Sequence, residues 1–69
     1  MQEKELWETV YINNTPRHAI FFGDLLLVDH PTKMYQRAER HRFTPAHMRS
    51  LKSGSRVYAN GNWYSLGPD

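Results

Sequence analysis

Sixty-nine residues without a cysteine exclude a disulfide framework, a thiolate metal cluster and a cysteine nucleophile, and leave room for one small core. With 39% hydrophobic and 23% charged residues, the composition is neither disordered nor collagen-like. The formal net charge of +2 conceals an uneven distribution: residues 1–32 balance to −3, and residues 33–56 to +6, with Glu39 the one acid among seven bases.

The N-terminal half reads as strands. In Leu6–Ile12 the set Leu6, Val10 and Ile12 alternates with Trp7, Thr9 and Tyr11, the period of a half-buried strand. Leu6 and Val10 are also four apart, which keeps a helix over 2–11 as the alternative. Asn13-Asn14-Thr15-Pro16 is a turn cluster. His18–Phe22 and Leu25–Val28 then run apolar on both faces around Gly23-Asp24, a tight turn or bulge. Such a run predicts a central strand covered on both sides. Asp29-His30-Pro31 ends it.

The segment Lys33–Phe43 has two readings. Propensity favours a helix capped at Thr32, with Met34, Tyr35, Ala38 and Phe43 as a thin apolar stripe. As a strand, Tyr35 and Phe43 share one face with Arg37, Glu39 and His41 between them. The helix is the preferred expectation. A second, short helix follows: Thr44 is a favoured N-cap, Pro45 suits the first turn, and Gly54 terminates it. Met48 and Leu51 make its apolar stripe, with Arg49 and Lys52 beside it. Ser55–Ala59 and Asn62–Leu66 flank Asn60-Gly61, the favoured pair of a type I′ hairpin turn. Pairing about that turn sets Ala59 against Asn62, Tyr58 against Trp63 and Val57 against Tyr64.

These elements predict a small single α+β domain spanning 1–69, mainly antiparallel β, with N-terminal strands, the Asn-Gly hairpin and one or two short helices. A small SH3-like or OB-like barrel is the alternative if 33–43 is a strand. No apolar run approaches the roughly 20 residues of a membrane-spanning helix. The acidic, amphipathic N-terminus is unlike a signal peptide. The expectation is a soluble, cytoplasmic protein.

Catalytic motifs are absent: no Gly-rich phosphate loop, nucleophile elbow or paired carboxylates. The four histidines lack the i, i+4 spacing that converges on a metal. The reading is therefore a non-enzymatic binding protein without cofactor or metal. Six of the nine basic residues are arginines, whose planar fork suits phosphate and carboxylate. Helix, helix and aromatic hairpin in that order resemble a compact winged-helix module. The resemblance covers residues 33–66 and implies DNA binding, with Arg49, Lys52 and His47 toward the groove. It places Arg37, Arg40 and Arg42 on phosphates and Arg56 and Asn60 at the wing. In the barrel alternative, Tyr35, Tyr58, Trp63 or Tyr64 would stack on single-stranded bases. The competing expectation is a regulatory inhibitor of a larger host protein or machine, of the viral or mobile-element accessory kind. It would bind an acidic surface through the same basic segment, and the −3 and +6 parts would suit a homodimer.

Overall fold

A computed structural model of the chain describes residues 7–29 and 38–68. Among these described residues six strands and one helix follow one another as β1 (Glu8–Ile12), β2 (Thr15–Phe22), β3 (Leu25–Val28), β4 (Glu39–Arg42), α1 (Pro45–Lys52), β5 (Val57–Ala59) and β6 (Asn62–Ser65). The strands form one sheet in the order β4-β3-β2-β1-β6-β5, paired antiparallel throughout. The first four strands are a meander. The returning hairpin β5–β6 then adds to the far side of β1.

Turn chemistry explains the meander. Asn13 and Asn14 have φ of 52° and 67°, both in the left-handed region that asparagine tolerates, so β1 and β2 are joined by a type I′ turn. The predicted turn cluster is thus two residues long, and Thr15 and Pro16 already belong to β2. Asn60 and Gly61 repeat the arrangement at 54° and 75°. The hairpin has the anticipated register, with Val57 opposite Tyr64, Tyr58 opposite Trp63 and Ala59 opposite Asn62.

One sheet face makes the core. Val10, Ile12, Ala19, Leu26, Val28, Val57 and Tyr64 point inward, and Phe43, Met48 and Leu51 close over them. The sheet curls into a half-barrel around this cluster. Helix α1 begins as the sequence predicts: the Thr44 hydroxyl accepts from the His47 amide at 3.1 Å, and Pro45 occupies the first turn. It ends at Gly54, whose φ of +101° a side chain would strain. Eight residues are too few to stay helical alone, so burial of Met48 and Leu51 holds α1 in place.

Three expectations are corrected. Residues 39–42 are strand, not helix; Thr32 and residues 33–37, including Arg37 and Tyr35, lie outside the described residues. Pairing with β3 places Glu39 opposite Val28 and His41 opposite Leu26, turning both inward, and this tertiary gain outweighs the helix propensity of Ala38-Glu39-Arg40. Among the described residues α1 is the one helix before the hairpin, so they do not show the helix–helix–hairpin order of a winged helix. The helix alternative for 2–11 also falls, since Glu8–Ile12 is β1. Finally, β2 and β3 are buried on one face only: Ile20, Leu25 and Leu27 on the other are half-buried and Phe22 is 69% exposed.

The helix–core contact is measurable. Leu51→Ala empties a fully buried site and is expected to cost about 2–5 kcal/mol in urea unfolding. Thr44→Ala removes only the cap, for about 1 kcal/mol. Equal losses would show that α1 is not held through Leu51.

Candidate nucleic-acid interface

The hairpin presents aromatic side chains because strand alternation divides them. Val57 and Tyr64 face the core, so their neighbours Tyr58 and Trp63 must face out, at 55% and 44% exposure. Their ring centroids are 5.1 Å apart with planes tilted by 55°. The Arg56 guanidinium lies 4.6 Å from the Trp63 ring centroid, within cation–π distance. Backbone and side chain of Asn13 then fix the end of the hairpin. Its amide donates to the Trp63 carbonyl at 2.7 Å, and its Oδ1 accepts from the Trp63 amide at 3.0 Å. Its Nδ2 donates to Asn62 Oδ1 at 3.0 Å, tying the two asparagine turns together.

Of the eight residues expected to contact a partner, the seven described ones are spread over β4, α1 and the β5–β6 hairpin. Arg40 and Arg42 alternate with inward Glu39 and His41, so both are exposed on the outer face of β4. His47, Arg49 and Lys52 are exposed on α1, with the Lys52 ammonium 5.4 Å from the Phe21 ring centroid. Arg56 belongs to the hairpin and its indole. Asn60 links two of the groups: its Nδ2 donates to the Arg42 carbonyl at 2.9 Å, joining the hairpin turn to the end of β4. Arg37 is outside the described residues. Of the tyrosines proposed for stacking, Tyr58 is available and Tyr64 is not, being wholly buried.

Inside the half-barrel lies a polar chain that links β2, β4 and β6. Arg17 donates to Glu39 Oε2 at 3.3 Å and to the Asp29 carbonyl at 3.1 Å. Glu39 Oε1 is 3.1 Å from His41 Nε2, and His41 Nδ1 is 2.6 Å from the Tyr64 hydroxyl. A carboxylate only accepts, so Nε2 carries a proton. In the neutral ring Nδ1 is then the acceptor and Tyr64 O–H the donor. Asn60 and Asn62 approach the same hydroxyl as donors at 3.4 and 3.5 Å. The His41 hydrogen bond, followed by the Arg17 guanidinium, holds the Glu39 carboxyl below its ordinary value of 4.5 against the opposing effect of burial. Arg17 Nε is buried without a hydrogen-bond partner.

Helix propensity concealed this chain in the sequence. Its signal was the alternation of Glu39, His41 and Phe43 that a strand makes, an inward set among outward arginines. Arg17 had no such signal, because only the fold sets β2 and β4 on either side of β3 with Arg17 and Glu39 on the same sheet face.

Tyr64→Phe keeps the ring and strands His41 Nδ1; the expected cost is about 1–3 kcal/mol, read by urea unfolding against wild type. The lowered Glu39 carboxyl contributes stability that is complete above pH 4.5 and lost as pH falls through its folded value. Glu39→Gln should therefore flatten the acid limb of stability against pH below 4.5, and an unchanged limb would remove Glu39 from it. No family model, curated protein or solved structure matches the chain, so what it does must be read from its own surface.

Proposed function

We propose that the protein is a non-enzymatic nucleic-acid-binding protein of regulatory type, and that its ligand is single-stranded. The observation that carries this reading is the exposed Tyr58–Trp63 pair with Arg56 against the indole. Every base has a π-face, so an aromatic platform accepts unpaired bases of any sequence. A nearby guanidinium serves the phosphate. Duplex DNA offers its bases only edge-on in the grooves, which an aromatic ring cannot stack upon. Since residues 39–42 are strand where a winged-helix order expects helix, stacking is better supported than groove reading. Arg49 and Lys52 on α1 add charge that attracts the phosphate chain without reading it.

Fluorescence anisotropy with a labelled oligothymidine of about 15 nucleotides and a duplex of the same length tests the proposal. Binding of the single strand should weaken as salt rises, because released counterions set the slope. Trp63→Ala should lower affinity by roughly 5- to 100-fold. Arg49→Glu with Lys52→Glu should reduce both affinity and salt slope. Absence of binding at low salt would reject nucleic acid as the ligand; equal binding of duplex, or an unaffected Trp63→Ala, would reject the stacking platform.

A further inference from the structure

The outer face of β2, β3 and β4 carries a second surface that the nucleic-acid reading leaves unused. Two cross-strand pairs form apolar rungs on it, Ile20 with Leu27 and Phe22 with Leu25. Each rung continues onto β4 as an arginine: Leu27 is opposite Arg40, and Leu25 is opposite Arg42. Among the described residues Phe22 is the most exposed of the large apolar ones, although its neighbour Phe21 packs against the core. The strand thus supplies its core residue and a further aromatic outside. Among the described residues neither Arg40 nor Arg42 has an ion-pair partner. Apolar side chains bordered by arginine are the composition of interface anchors.

We propose that this face docks a partner protein through a segment that interleaves apolar and acidic residues. Its apolar side chains cover Ile20, Phe22, Leu25 and Leu27, and its carboxylates pair with Arg40 and Arg42. Charge complementarity selects this occupant. A second copy fits poorly: an antiparallel β4–β4 contact sets arginine against arginine, and two outward-curving faces meet over little area. An anionic bilayer fits poorly too, since a planar surface meets the outer face of a curled sheet at few side chains. Nucleic acid would find cations here, but three of the four apolar side chains are aliphatic and offer no ring to stack on. The face is independent of the Tyr58–Trp63 platform, which lies on β5 and β6 at the other end of the sheet order. A patch of four apolar side chains suits a transient partner more than a permanent one.

Panning a phage-displayed random dodecapeptide library on the full chain tests the docking face. The expected selection is peptides with Asp or Glu interspersed among apolar residues. Phe22→Ser should weaken them about tenfold or more, as should Arg40→Glu with Arg42→Glu. Peptides with Lys in place of their acids should regain binding to the reversed-charge variant. Phe22, Arg40 and Arg42 are exposed, so circular dichroism and melting of these variants should match wild type. The proposal would be overturned by no enrichment, enrichment of peptides without acids, binding indifferent to the substitutions, or sedimentation showing a dimer that Phe22→Ser dissociates. Co-sedimentation with phosphatidylserine vesicles that Phe22→Ser abolishes would also overturn it.

Discussion

The phenol of Tyr64 is the point on which this fold turns. It is wholly buried in a chain too small to bury much, and it lies in β6 between Val57 of β5 and Ile12 of β1. Its ring packs edge-on against Phe43 at 4.7 Å and His41 at 5.6 Å, so it joins the hairpin to the end of the meander. Burial of its hydroxyl would be costly without partners. His41 supplies the acceptor, and Asn60 and Asn62 approach as donors. A half-barrel that lacks continuous backbone pairing from β4 to β5 is therefore held across its open side by side chains. Asn60 contributes twice, because it also takes the Arg42 carbonyl at the exposed edge of β4. An edge capped in this way offers less to another strand.

The sequence made the local elements legible and concealed the long-range ones. Asn60-Gly61 and the alternation of Val57, Tyr58, Trp63 and Tyr64 determine the hairpin and its register by local geometry alone. Thr44, Pro45 and Gly54 do the same for α1. Residues 33–43 resisted because their helix propensity and their strand alternation point in different directions. The contest is decided by β3, which pairs with Glu39–Arg42 and lets His41 reach Tyr64 from 23 residues away. The exposed platform was legible only in part. Alternation puts Tyr58 and Trp63 on one face, but which face meets the core depends on Ile12 and Val57 across the sheet.

Division of labour between faces follows from that arrangement. The inner face is occupied by packing and by the Arg17–Glu39–His41–Tyr64 chain, so residues there act on stability. The outer face carries Tyr58 and Trp63 at one end of the strand order and the Phe22–Leu25 rung with Arg42 at the other. Curling brings the edges of these ends together, where Asn60 reaches the Arg42 carbonyl, while the two outward side-chain sets stay on separate strands. Neither set draws on side chains that the core requires.

The Arg17–Glu39 ion pair also reshapes the charge of the molecule. Arg17 is the described cation of the acidic N-terminal part, and Glu39 is the one acid of the segment 33–56. Each is the minority charge of its own region, and they pair at 3.3 Å on the inner face. Pairing removes from both regions the charge that opposes the rest. On the surface, Arg40, Arg42, Arg49, Lys52 and Arg56 are all exposed with no acid from their own segment among them, while Glu8 and Asp24 are exposed on the other part. The fold therefore sharpens the polarity written in the chain. The formal net charge of +2 thus averages over parts of unlike sign.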